Sequence, residues 1–287
     1  INAKWADLCA KYTFPATSDV NCGEFFVLGR HPRPRISGGI RSPDFQYKKL
    51  QFSDAAATWE MQDSRVYIED FSGQLFNGRV AGRGHYDAVK ESGALLVHAD
   101  DVQLKALLRN MRLDTKGKES GISGNLDGRA KVSFFRDSKG STPLHMNGDG
   151  HLLIDEGNLW NVPVLSELGS LLDVTLLSKL SGGRLSSLGK ITELSAQLSF
   201  DGGTVAIPEF KTNGTIVSLD GEGEYSWAES ALDFKVQGRA FKRVRFLGFF
   251  LKPFSWVVNA RLLGTPSDYR WQLTNTLTQV LSGNEPD

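Results

Sequence analysis

Net charge, cysteine and long apolar runs are what this sequence has least of, and each shortage closes off a class of explanation. Lys and Arg total 33 and so do Asp and Glu, so no basic excess draws the chain onto nucleic acid. No stretch approaches the ~18 consecutive apolar residues of a membrane-spanning helix. The chain opens at Ile1 without the charged start and apolar centre of a signal peptide, and a first residue other than Met suggests a fragment or processed product, with any anchor outside it. The two cysteines, Cys9 and Cys22, flank Pro15. They read either as two free thiols or, in an oxidising compartment, as a disulfide closing a short loop. Tetrahedral zinc needs four ligands, and no histidine stands near them.

Reactive motifs are equally sparse. His31, His85, His98, His145 and His151 show no metal-binding spacing such as HExxH. His98 with Asp100 and Asp101 has no nucleophile in view, and the two aspartates already suit the cap of a short helix. Ser186 and Ser187 lack the GxSxG setting of a nucleophile elbow. Gly82-Arg-Gly84 and Gly221-Glu-Gly223 resemble the start of a dinucleotide loop, but no helix with a third glycine follows; they read as strand glycines where backbones come close. Asn213-Gly-Thr, formally a glycosylation sequon, reads as a turn. The sequence therefore predicts a non-enzyme without metal or cofactor. A glycan-active β domain would need paired carboxylates that are not identifiable here.

What the chain does contain is a weak copy of itself. Val66, Ile68, Phe71, Gly82, Gly84, Tyr86 and Val97 are answered, 139 residues later, by Val205, Ile207, Phe210, Gly221, Gly223, Tyr225 and Val236. Constant offset points to an architecture of stacked similar units. The repeated features are alternating apolar residues and glycines, the marks of strands rather than of a reactive centre.

Residues 1–13 carry weak helical spacing that Pro15 ends, and from Phe25 the apolar period becomes two. Phe45 to Phe52, Ala55 to Met61, Arg65 to Glu69 and Gly73 to Tyr86 predict a meander of strands. Residues 99–112 predict a short helix capped by Asp100 or Asp101, with Val102, Leu104, Leu107 and Leu108 on one face. Strands resume over Gly124 to Phe135, with Asp137-Ser-Lys-Gly-Ser as a hairpin connection. The series continues through Leu152 to Ile154, Leu159 to Val162, Leu194 to Phe200, Val205 to Ile207, Ile216 to Leu219, Glu224 to Trp227, Leu232 to Val236, Trp256 to Leu263 and Tyr269 to Leu273. Residues 276–287 look frayed. Ile154-Asp-Glu-Gly-Asn-Leu159 and Phe200-Asp-Gly-Gly-Thr-Val205 share one strand, acidic-glycine turn, strand pattern, and Met61-Gln-Asp-Ser-Arg-Val66 is a degenerate third. Between them, Pro163 to Leu180 predicts an apolar helix with Leu165, Leu168, Leu172 and Leu176 in one stripe, too short to span a membrane and suited to covering an apolar surface.

Alternation places apolar side chains on one face of each strand. These are Val66 and Ile68, Leu95 and Val97, Leu152 and Ile154, Leu194, Leu198 and Phe200, Val205 and Ile207, Val217 and Leu219, Tyr225 and Trp227, and Leu232, Phe234 and Val236. A closed sandwich core and an open groove fit this pattern equally, since they differ only in whether a second layer covers the face. The basic, aromatic stretch from Arg239 to Lys252 reads as a solvated basic face. The alternative is a contact with an anionic membrane surface, Arg243 and Arg245 meeting phosphates while Phe246, Phe249 and Phe250 enter the apolar layer.

Several stretches together resemble the AsmA-like family of bacterial envelope proteins. They are Asn147 to Leu159 with Val162-Pro163, the apolar helix, Leu194 to Phe200 with Asp201-Gly-Gly, the Gly221-Glu-Gly223 strand, and Pro253-Phe to Leu263-Gly-Thr-Pro, with residues 45–100 resembling a preceding repeat. The resemblance implies a mainly β fold: an extended, strongly twisted antiparallel sheet curled into a groove and covered by a few short helices. In those terms residues 1–287 form one elongated domain of two related β units, about 24–112 and 124–275. It also implies an inner-membrane-anchored protein reaching into the periplasm, with the anchor outside this chain. Its function would be to carry phospholipid acyl chains along an apolar groove toward the outer membrane, with other envelope proteins possible as extensions of that groove. The other reading is a structural or adhesive β-rich repeat protein with a closed core.

Overall fold

A computed structural model describes residues 12–13, 18–26, 35–47, 50–110, 123–136, 144–159, 165, 167–168, 191–214, 217–240 and 255–280. The fold is mainly β, one large antiparallel sheet that does not close. Its strands are β1 (Tyr12–Thr13), β2 (Asp19–Phe26), β3 (Arg35–Tyr47), β4 (Leu50–Gln62), β5 (Arg65–Leu75), β6 (Gly78–Asp87), β7 (Ser92–Gln103) and β8 (Asn125–Phe135). They continue with β9 (His145–Asp155), β10 (Ile191–Gly202), β11 (Thr204–Gly214), β12 (Val217–Ser226), β13 (Ala231–Ala240), β14 (Ser255–Thr265) and β15 (Asp268–Val280). From β3 onward each strand lies beside its successor, the arrangement expected when short turns join consecutive strands. One short helix, α1 (Leu104–Asn110), is complete among the described residues. By contact density the chain divides into unit 1, residues 1–114 with 125–150 and 200–202, and unit 2, residues 115–124, 151–199 and 203–287.

In unit 1 the β4–β5 turn falls at Asp63, with φ of 56°, where the degenerate turn pattern placed it. Two expected strands prove to be hairpins. Phe45 to Phe52 reverses between Tyr47 and Leu50, and Gly73 to Tyr86 reverses at Phe76 and Asn77, whose φ values of 49° and 66° are those of a two-residue hairpin turn. Phenylalanine is an unusual residue in that backbone region, but the Phe76 ring packs against the cluster of Phe52, Ala55, Leu75, Val80 and Val102, and this burial offsets the conformational cost. Asp100 and Asp101 do not cap α1. They continue β7, where a bulge between Ala99 and Val102 puts Asp101 at φ 54°, and its amide donates to Asp127 Oδ1 at 2.8 Å.

In unit 2 the Ile154 to Leu159 segment does not return as a hairpin. After Glu156 (φ 47°) the Gly157 amide donates to the Thr192 carbonyl at 2.8 Å, Asn158 donates to Ser123 at 3.1 Å, and Leu159 is buried outside any strand. Phe200 to Val205 does turn as expected, with Gly202 at φ 57°. β12 stops at Ser226, so Trp227 lies in the following turn rather than on the strand. β15 runs through Val280, past the onset of the fraying suggested by the sequence. The Asp137 to Ser141 connection and most of the expected 163–180 helix lie outside the described residues. Of that stretch, Leu165, Glu167 and Leu168 are helical and Leu168 is buried.

Candidate functional site: an apolar sheet face in each unit

Cross-strand register shows which alternating residues share a face. In unit 1, Met61, Val66, Tyr86, Gly93 and Phe134 form one row across five strands, and Trp59, Ile68, Gly84, Leu95 and Val132 form the next. Ala57, Phe71, Gly82, Val97 and Ala130 form a third. On β3, Ile36, Gly38 and Ile40 extend the three rows. In unit 2 the rows are Val205, Tyr225, Leu232, Gly264 and Tyr269; Ile207, Gly223, Phe234, Leu262 and Trp271; and Phe210, Gly221, Val236, Ala260 and Leu273. The repeat is thus a repeat of register. β5–β6 and β11–β12 even share one irregularity, between Ile68 and Phe71 and between Ile207 and Phe210.

The glycines explain how bulky residues fit these rows. A Cβ at Gly223 would lie 2.2 Å from Phe234 Cδ1, and one at Gly221 would lie 2.5 Å from Phe210 Cε1, so rings of the neighbouring strands occupy the space a side chain would take. At Gly84 the nearest atoms are the Ala94 carbonyl oxygen at 2.5 Å and Leu95 Cδ1 at 3.3 Å, so here an aliphatic end borders the gap. Tyr86 and Phe134 stack across Gly93 with ring centres 6.3 Å apart.

Access to the face varies. In unit 1 the row from Phe52 and Leu75 to Val102 is buried, whereas three rows away Ile68 and Leu95 are 39% and 44% exposed. Val66 and Val97 are half-buried. In unit 2, Val217, Leu219 and Val236 are buried, Leu219 completely, and Ile154 on β9 is buried beside half-buried Leu152. Val205, Ile207, Tyr225, Leu232 and Phe234 are half-buried, as are Leu194, Leu198 and Phe200 on β10 and Trp227 in its turn. Glu167 accepts a hydrogen bond from the Tyr269 hydroxyl at 3.3 Å, which places part of the 163–180 stretch against β15. Burial, with the Glu167 carboxylate, pushes the Tyr269 phenol up from its ordinary pKa.

Opposite faces of the strands are polar. Unit 2 carries Glu222, Lys235 and Arg261 in one row, with Lys235 3.0 Å from Glu222 and Arg261 gripping Asp233 through two hydrogen bonds that lower the Asp233 carboxyl. His98 lies 2.8 Å from Asp100 on the exposed face of β7. Among the described residues of unit 1 one carboxylate, Asp87, is buried. It accepts from the Lys90 and Val89 amides at 3.1 Å, Arg65 Nε at 3.0 Å and the Ser64 hydroxyl at 3.2 Å. The Lys90 amide first and the Arg65 guanidinium next hold its carboxyl at about 2, below the usual 3.8. Its counterpart in the repeat is Ser226, whose hydroxyl accepts from the Glu229 amide at 3.3 Å. Backbone contacts repeat as well: Ala88 donates to the Ser64 carbonyl as Trp227 donates to Gly203.

Alternation alone missed Trp59, Met61, Tyr86, Phe134, Leu262 and Trp271 as members of these faces, because pairing between strands is needed to place them. Arg243, Arg245, Phe246, Phe249 and Phe250 lie outside the described residues, as does Cys9. Among the described residues no three His, Cys, Asp or Glu side chains gather as metal ligands, and no helix is long and apolar enough to cross a membrane. Comparisons with family models, curated proteins and solved structures gave no match.

Proposed function

We propose that the chain is a non-enzymatic lipid-binding domain that takes phospholipid acyl chains on its apolar sheet face. In this reading it is the periplasmic part of an AsmA-like, inner-membrane-anchored envelope protein and supports phospholipid movement toward the outer membrane. The observation carrying the proposal is the row Ile68, Gly84, Leu95, Val132, where two large aliphatic side chains flank a glycine and remain exposed. The physical need is plain: at about 0.8 kcal/mol per CH₂, a 16-carbon chain crossing water faces a barrier of about 13 kcal/mol. An apolar lining lowers that barrier, and an enclosing curvature of the sheet belongs to the same proposal. So does contact of Arg243, Arg245, Phe246, Phe249 and Phe250 with a membrane surface. Mass spectrometry of an organic extract of the purified protein tests it: co-purified phospholipid is expected, and a lipid-free extract from protein made in a phospholipid-rich host would overturn it. The second reading, a structural β protein with a closed core, draws on the buried cluster of Phe52, Ala55, Leu75, Val80 and Val102.

A further inference from the structure

We propose that one rim of unit 1 docks on a lipid bilayer, an inference that rests on the lipid-binding reading for its purpose but not for its test. Four segments meet at this rim. The Ala88 amide donates to the Ser64 carbonyl at 2.9 Å, joining the β6–β7 and β4–β5 turns, and the Arg136 amide donates to the Glu91 carbonyl at 3.0 Å, joining the end of β8. The His145 ring stacks on Phe135 at 4.9 Å and brings in the start of β9.

From these segments three apolar side chains stand into solvent: Val89 at 78% exposure, Phe135 at 44% and Leu144 at 36%. Tight turns ordinarily carry Gly, Asn, Asp or Ser, and Val89 adds nothing to the core at such exposure. Its backbone is held all the same, since the Val89 and Lys90 amides both bond to Asp87. Lys90 and Arg136 add two exposed cations, while Asp63 and Glu91 lie on the same rim, so apolar insertion rather than charge supplies most of the affinity. Apolar residues at separate turn tips beside cations suit insertion among head groups; a protein partner calls for a contiguous packed patch. The rim also lies at the end where Val66, Tyr86, Gly93 and Phe134 form the last apolar row, four rows from the buried row of Phe52, Leu75 and Val102.

Flotation of the purified chain with vesicles of phosphatidylcholine, alone or with phosphatidylglycerol, tests this. Binding to both is expected, stronger on the anionic vesicles, and Val89→Asp with Leu144→Asp should cut the bound fraction about tenfold at unchanged melting temperature. Should the double variant melt lower, Val89→Asp alone carries the test with about a threefold loss. A wild-type chain that stays unbound, whether or not it self-associates on size exclusion, overturns the proposal, as does a variant that floats like wild type. Lipid extraction of the same samples keeps the two readings apart. Lipid recovered from a non-floating protein removes the rim and leaves the acyl site, whereas a floating, lipid-free protein does the reverse.

Discussion

In unit 1 the row Ile68, Gly84, Leu95 and Val132 leaves two aliphatic side chains more than a third exposed, whereas in the equivalent row of unit 2, Ile207, Gly223, Phe234 and Leu262, a ring lies against the glycine and Ile207 and Phe234 are half-buried; the last member, Val132 or Leu262, is buried in both. Backbone pairing, the β-bulge and the glycine positions are the same in both. Register therefore fixes where an apolar face forms, while side-chain volume at a few positions sets how much of it stays accessible. Leu95 and Phe234 stand at equivalent places, and exchanging a branched aliphatic for a ring changes what covers the glycine trough.

Three substitution pairs probe that contrast. The largest effect should come from truncation: Leu219→Ala in fully buried surroundings should cost about 3 kcal/mol, and Leu95→Ala less than about 1 kcal/mol, by urea unfolding. Equal losses would mean that both faces are covered alike. Next come the glycines. Gly223→Ala drives a Cβ into both the Phe234 ring and the Asp233 carbonyl and should cost about 2 kcal/mol, against about 1 kcal/mol for Gly84→Ala, where the end of Leu95 can rotate away but the Ala94 carbonyl must still shift. A reversed order would contradict the packing described at the two glycines.

The smallest expected effect concerns acid. The Asp87 carboxyl is held at about 2, so its contribution to stability is full above its unfolded value of 3.8 and is lost as pH falls through about 2. Asp87→Asn should lower the melting temperature by a few degrees at pH 7 and flatten the loss seen between pH 4 and 2. Ser226→Ala, at the equivalent turn of unit 2, should shift melting uniformly across that range. A parallel acid profile for wild type and Asp87→Asn would show that the ionised carboxylate does not hold the β6–β7 turn.

Strand-rich architecture, the repeated register of Val66 to Val97 and Val205 to Val236 and the turn at Gly202 were legible because glycines and alternating apolar residues recur at fixed offset. Cross-strand partners were not, since period two within one strand carries no information about its neighbour; hence Trp59 and Phe134 went unplaced. Phe76 escaped notice as a turn residue because its local preference is overridden by packing against the core. Asp100 and Asp101 carry good capping chemistry, but Asp100 pairs with Arg79 of β6 and the Asp101 amide bonds the Asp127 carboxylate of β8, which claims them first. Nor does alternation distinguish Leu219 from Leu95, although one is sealed and the other open. That difference depends on what lies above the sheet.

Photocrosslinking tests the acyl-binding face most directly. A benzophenone residue placed at Leu95, on the apolar face, and in a second variant at Leu96, on the opposite face, would be irradiated with phosphatidylethanolamine vesicles present. Phospholipid adducts from position 95 and few from position 96 are predicted. Equal capture at both positions, or none at 95 while 96 reacts, would contradict the assignment of that face to lipid.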